Sequence, residues 1–196
     1  MGGGGDAGWG DAGGGSGADR VHVASFAELT PLTLYRILRL RSSVFSVEQA
    51  CAYNDLDGRD IEAATLHLWF DIDPAGPTVT AALRLLTQPD GSHKLGRVVT
   101  APSSRGQGRA GALLDRAMTI VAGDAAVTLD AQCRLEPWYA RWGFVRCGAD
   151  FDEDGIAHTP MRRPSHYGPA PHPVTAPTTS GTPAPGEWPL AGGIST

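Results

Sequence analysis

Apolar and polar positions fall into blocks along the chain, and the period changes from one block to the next. Residues 21–26 read as a short first strand. Thr30 and Pro31 supply a cap and a first residue for a helix, and Leu34, Ile37, Leu38 and Arg41 follow at helical spacing. Residues 66–71 and 79–86 are apolar runs joined by an Asp-Pro-Ala-Gly-Pro turn, which predicts two strands. A strand over 95–100 precedes a helix over 109–121, with Leu113, Leu114, Ala117 and Val121 on one face. Another strand follows at 127–131, then a short helix at 137–142 and a closing pair of strands at 145–150 and 158–162. There is no internal repeat. This order predicts a mixed α/β sheet flanked by helices in a single domain.

Composition sets the limits of that domain. Residues 1–18 are largely glycine, and 165–196 are rich in Pro, Thr, Ala and Gly. Such segments have too few apolar residues to offset the entropy of ordering and are expected to be disordered tails. The middle, 19–164, suffices for one core. A net charge of −5 gives no basic character to attract nucleic acid. No run is long enough to span a bilayer, and the glycine-rich start is not a signal peptide. Cys51, Cys133 and Cys147 have neither paired nor metal-ligand spacing, as expected of reduced thiols in a cytoplasmic protein. Asp55, Asp57 and Asp60 form a D-x-D-G-like run without the ligand spacing or final Glu of an EF-hand, so no metal is expected. A monomer and a homodimer are both compatible with the sequence.

The chemistry concentrates in residues 95–118: a strand, a Pro-containing loop, a glycine-spaced turn and a helix. Backbone N–H groups and the helix dipole make such a turn a phosphate site. Gly106, Gly108 and Gly111 match G-x-G-x-x-G, with Asp130 placed as a ribose-binding acid. Against a dinucleotide fold, five residues separate the strand from its first glycine, and too few residues follow Asp130 for further βαβ units. The run Arg105-Gly106-Gln107-Gly108-Arg109-Ala110 also has the form [Q/R]-x-x-G-x-[G/A], and Tyr139-Ala140-Arg141-Trp142-Gly143-Phe144 follows it. Together these resemble the acyl-CoA motif and the later Y-x-x-x-G-F segment of GNAT N-acetyltransferases. Upstream, Arg41, Val44, Phe45, Glu48, Gln49, Tyr53, Asp55, Asp57, Gly58 and Asp60 are in register with the signature of ElaA-type GNAT proteins. The resemblance continues through His67, Gly96 to Val99, Ala131-Gln132, Glu153 to Ile156, His158 and Met161. Cys133 and Pro137 depart from it.

The resemblance implies a GNAT fold with acyl-CoA at a splayed strand pair. It also implies direct transfer of an acetyl group from acetyl-CoA to a primary amine, on a small molecule or a peptide, in a ternary complex. On that pattern Val98, Val99 and Thr100 align pantetheine and supply an N–H to the carbonyl oxygen. Arg105, Gly106, Gln107, Gly108, Arg109, Ala110 and Gly111 hold the pyrophosphate. Arg109 either contacts a phosphate or covers the exposed helix face. Tyr139 is the acid for the departing thiolate, a phenol of suitable basicity. Glu48 is the foremost carboxylate for the base, beside His158, His67 or a chain of waters. Structural roles compete with these. Glu48 can pair with Arg41, His67 and His158 can be structural hydrogen bonders, and His93 falls in a turn expected at the surface. The three aspartates bracket the cleft, cap their loop or hold a cationic acceptor. Trp138, Trp142 and Phe144 are expected to pack. Two other functions fit parts of the pattern. One is a non-catalytic acyl-CoA-binding module. The other is acyl-homoserine-lactone-synthase-like chemistry, to which Arg41, Phe45, Asp55 and Asp57 are similar.

Overall fold

The computed structural model describes residues 20–51, 53–71, 78–121 and 125–165. The expected tails at 1–18 and 165–196 lie outside these residues, save for residue 165. The elements run β1 (Val21–Ser25), α1 (Pro31–Arg41), β2 (Leu66–Asp71), β3 (Val79–Thr87), β4 (His93–Thr100), α2 (Arg109–Val121), β5 (Val127–Gln132), α3 (Glu136–Ala140), β6 (Val145–Arg146), β7 (Phe151–Glu153) and β8 (Ile156–Arg163). They form one eight-stranded mixed sheet in the order β1-β2-β3-β4-β5-β8-β6, with β7 also on β8. The β4–β5 pair is parallel and its crossover is α2; every other pairing is antiparallel.

Both sheet faces are covered, which is why β2 and β3 are buried along almost their whole length. Leu68, Phe70, Leu83, Leu85 and Leu95 pack one face against Leu113, Leu114 and Ala117 of α2 and against Tyr139, Trp142 and Phe144. The alternate residues Trp69, Ala82 and Val99 meet Ile37, Leu40 and Val44 on the other. Thr30 caps α1 through its hydroxyl, which accepts from the Thr33 amide, and Pro31 takes the first helical position.

Three details differ from the sequence expectation. The first helix does not stop near Arg41 but widens into a π-helical stretch, Ser42–Glu48, closed by the Gln49 amide on the Val44 carbonyl at 2.9 Å. The closing strands are three, because 145–150 breaks after Arg146 and a separate hairpin strand, β7, forms. His93 is not a turn residue at the surface: it is partly buried and begins β4, its amide donating to the Ala126 carbonyl at 2.9 Å.

Candidate active site

The sheet is divided at its centre. β4 and β5 pair only at His93–Val127 and Lys94–Thr128, and beyond that point the two strands diverge. Lys94 and Asp130 close the apex with a 2.8 Å ion pair. This engages the acid that a dinucleotide reading reserves for ribose. The divergence opens a cavity of about 240 Å³, walled by Leu95 to Val98 of β4 and by Leu129, Asp130 and Gln132 of β5. Tyr139 of α3, Glu153 of β7 and His158 of β8 line it as well.

β4 is itself irregular on this edge. Its register against β3 skips between Ala82–Val99 and Arg84–Gly96, so Arg97 and Val98 together oppose Leu83. Such a bulge leaves backbone out of the ladder and bends the strand. Arg97 sits at φ 53°, a left-handed value unusual for a residue with a side chain. The acidic loop holds it there. Arg97 Nε lies 2.8 Å from Asp55 Oδ1, Nη2 lies 3.3 Å from Asp57 Oδ2, and its guanidinium covers the Tyr53 ring at 4.9 Å. The same acids bind two further buried arginines. Arg41, only 1% exposed, bonds Asp55 at 2.9 Å and Asp60 at 2.7 Å, and Arg84 grips Asp57 through two bonds of 2.7 Å. His67 Nε2 lies 3.0 Å from the Asp60 carbonyl oxygen.

The charge states follow from this wiring. The Arg84 hydrogen bonds hold the Asp57 carboxyl well below the usual range. Burial works to raise Asp60, but its bonds to Arg41 and the charges of Arg41 and Arg84 overcome that and lower it. Burial pushes His67 down, so it is a neutral structural hydrogen bonder. The three aspartates are therefore spent on arginines. They form a strut beneath the β4 bulge, a connection that no local motif in the sequence revealed.

The glycine-spaced turn lies between β4 and α2. Gly106 and Gly108 have φ of 74° and 75°, which residues with a Cβ adopt only at a cost, and open space lies in front of both. The Ala112 amide bonds back to the Gly108 carbonyl at 3.0 Å. The amides of Arg109, Ala110 and Gly111 just before it are those a helix start leaves without an intrahelical acceptor. Gln107 donates its side-chain amide to the Ser103 carbonyl at 3.1 Å, which braces the loop. Arg109 turns back to the Thr80 hydroxyl on β3. Arg105 donates to the Thr100 carbonyl at 3.3 Å and to Glu48 at 2.8 Å.

The catalytic candidates separate accordingly. Tyr139 is 6% exposed and lines the cavity, and its hydroxyl makes no hydrogen bond among the described residues. Burial pushes its phenol up, so it is neutral throughout the physiological range. Glu48 is outside the cavity lining, 39% exposed, and engaged with Arg105 rather than Arg41. Of the expected pantetheine residues, Val98 lines the cavity. Val99 points to the opposite face, so only its backbone is available to a ligand there. Trp142 and Phe144 are core residues, and Trp138 packs against that core. Gly143 has the left-handed φ expected of it. Among the described residues no group of three His, Cys, Asp or Glu is placed to hold a metal ion. None of their helices is long and apolar enough to cross a membrane.

A sheet split at a single parallel pair, a bulged strand on one side of the split and a phosphate-type turn at its end define a CoA-dependent acyltransferase fold. The family comparison agrees: residues 59–164 match the acetyltransferase (GNAT) domain. A UPF0039 protein of Mycobacterium tuberculosis is 46% identical over 140 residues, covering 70% of this chain and 88% of the relative. Escherichia coli ElaA is 32% identical over 142 residues, covering 70% and 91%. Among solved structures, an acyl-CoA N-acyltransferase from Pseudomonas aeruginosa superposes with a TM-score of 0.68 at 38% identity, covering 74% of this chain and 98% of that one. The ElaA crystal structure gives 0.67 at 30% identity, with the same coverage. The chain belongs to the GNAT acyltransferase family, in its ElaA-type group.

Proposed function

We propose that the protein transfers an acetyl group from acetyl-CoA to a primary amine in a direct ternary complex. The observation that carries this reading is the cavity between the diverging β4 and β5, into which the buried and unpartnered Tyr139 opens. The loop and helix start at Arg105 to Gly111 bind the pyrophosphate through backbone N–H groups, aided by the helix dipole. The free edge of β4 at Val98 to Thr100 aligns the pantetheine arm, and the bulge aims a backbone N–H at the thioester oxygen as charge develops there. Tyr139 gives its proton to the departing sulfur, which a buried, uncharged phenol is suited to do. Glu48 fixes the Arg105 side chain across the loop; to serve as base it would have to leave that ion pair. The three free cysteines suit a reducing cytoplasm.

The test is calorimetric titration with acetyl-CoA, followed by thiol release with a panel of primary amines. Binding with turnover supports the reading. Binding without turnover on any amine favours an acyl-CoA-binding module, and turnover only with S-adenosylmethionine favours synthase-like chemistry. No binding of acetyl-CoA refutes the reading outright.

A further inference from the structure

Among the titratable side chains of the cavity that have no part in the steps above is His158. His158 stands on β8 opposite Gln132 of β5 on one side and Phe151 of β7 on the other. Its Nδ1 lies 2.8 Å from the Ile156 carbonyl oxygen. A carbonyl only accepts, so Nδ1 carries the proton and Nε2 of the neutral ring keeps its lone pair. The ring stacks on Phe151 with centroids 5.8 Å apart, and its side chain is 12% exposed. Its orientation is thus fixed by a hydrogen bond and by packing. Nε2 lies 3.8 Å from Glu153 Oε2, beyond hydrogen-bond reach, so the lone pair is not consumed by that carboxylate.

The charges around this ring are unbalanced. Glu153 and Asp154 reach the cavity from the tight turn between β7 and β8, and among the described residues neither is paired with an arginine or lysine. Both act on Cys51 across the cavity and, with burial as the larger cause, push its thiol up. The cations nearby are committed elsewhere: Lys94 to Asp130, Arg97 to Asp55 and Asp57, and Arg134 to the Gln132 side-chain oxygen at 2.8 Å. Tyr139, whose hydroxyl has no hydrogen-bond partner among the described residues, lines the same cavity.

We infer that His158 is the general base of the transfer, and that the Glu153–Asp154 turn draws a cationic amine acceptor onto its free Nε2. This rests on the acyl-transfer reading above. An ammonium held beside Glu153 gives one proton to Nε2 and becomes a nucleophile. Its lone pair forms the C–N bond to the thioester carbonyl carbon, the C–S bond breaks and that electron pair goes to sulfur. Tyr139 protonates the sulfur, and the nitrogen's second proton replaces, through solvent, the one Tyr139 gave. His158 then releases its proton to solvent. Atoms and charge balance with no further reactant.

Three probe amines test this: 1,4-diaminobutane, butylamine and 4-aminobutyrate share a four-carbon chain and differ in the charge at the far end. In the full-length protein kcat/KM is expected to fall in that order, by about tenfold from first to last. The double variant Glu153→Gln, Asp154→Asn is expected to flatten the series. His158→Gln should lower kcat by about 10²-fold or more, leave acetyl-CoA affinity intact and remove the acidic limb of the pH profile. Added imidazole should restore part of the rate to His158→Ala, which a merely structural role would not permit. Retention of the acidic limb in His158→Gln, or preference for 4-aminobutyrate, overturns the inference. So does acetyl-CoA binding with none of the three amines acetylated. Failure to bind acetyl-CoA at all overturns the acyl-transfer reading instead, and the base with it.

Discussion

Gly111 separates the two phosphate-site readings that the sequence alone allows, because a dinucleotide fingerprint needs its third glycine and an acyl-CoA loop does not. A Cβ at Gly111 would lie 3.6 Å from Trp142 Cζ2 and 3.7 Å from Cη2, which is ordinary contact. The residue is the third of α2 and lies in its first turn. Gly-to-Ala in a helix interior gains about 0.8–1 kcal/mol, and the first turn realises part of that, so Gly111→Ala should stabilise by about 0.5 kcal/mol. For a domain of this size that raises the melting temperature by about 1–2 °C. The backbone N–H is unchanged, so the acetyl-CoA dissociation constant should stay within about twofold, a difference under 0.5 kcal/mol. Gly108→Ala makes the contrast. Forcing a side chain into φ 75° costs about 1–2 kcal/mol, and its methyl enters the space a phosphate would use. That variant should melt lower and bind at least about tenfold more weakly. Scanning calorimetry and calorimetric titration on the two proteins provide both readings. If Gly111→Ala melts at or above the parent temperature yet loses acetyl-CoA, the third glycine is where the ligand approaches, and the assigned phosphate register is wrong.

Tyr139→Phe should lower kcat by about 10²-fold with acetyl-CoA affinity preserved, because the hydroxyl has no partner to lose among the described residues; thiol release and calorimetric titration check this. Asp60→Asn strips a carboxylate from buried Arg41 and Arg84 and should cost about 3–5 kcal/mol in urea unfolding, the loss expected when one side of a buried ion pair is removed. Stability should decline in two stages on acidification. His67 and His93 have folded pKa values below their unfolded ones, so their contribution is complete above about pH 6.5 and is lost as pH falls below it. Asp57 and Asp60 are likewise lowered, so theirs is complete above about pH 4 and is lost on further acidification. Urea midpoints from pH 8 to 3 show both stages, and a single decline confined to below pH 4 would contradict the buried, neutral His67.

Periodicity and punctuation made most of the elements legible. The Thr30-Pro31 start, the apolar face of α2 and the left-handed Gly143 are local facts, and local sequence expresses them. The π-helical continuation of α1 was not legible, because Ser42 to Glu48 has no breaker and its one buried residue, Val44, joins a core cluster assembled from distant strands. The break between β6 and β7 was missed for a related reason: an apolar count over 145–150 cannot show that Pro160 comes within 2.7 Å of a Cβ position at Gly148. Motifs pointed to the glycine turn and to Tyr139, and the structure places the turn between β4 and α2 and Tyr139 in the cavity lining. The partner of Glu48 was not legible, since Arg105 is distant in sequence and reaches it only once the β4–α2 loop is in place.

Asp55, Asp57 and Asp60 of the acidic loop lie outside the cavity lining, yet they support a strand that walls it. Arg97 carries a strained φ in the middle of β4, and strain of about 1–3 kcal/mol persists only where its surroundings over-determine it. Asp55 and Asp57 supply that constraint, and they are held in turn by Arg41 from α1 and Arg84 from β3. One set of ion pairs thus ties the first helix, the central strands and the bulge into a single unit. It follows that Asp55→Asn should act at a distance. It leaves the glycine-spaced turn, Tyr139 and His158 in place but loosens the bulge proposed to aim a backbone N–H at the thioester. The expected signature is a fall in kcat with little change in acetyl-CoA affinity, although Asp55 lies outside the cavity lining. If acetyl-CoA affinity falls instead and kcat holds, the loop supports binding rather than alignment, and the role assigned to the bulge is wrong.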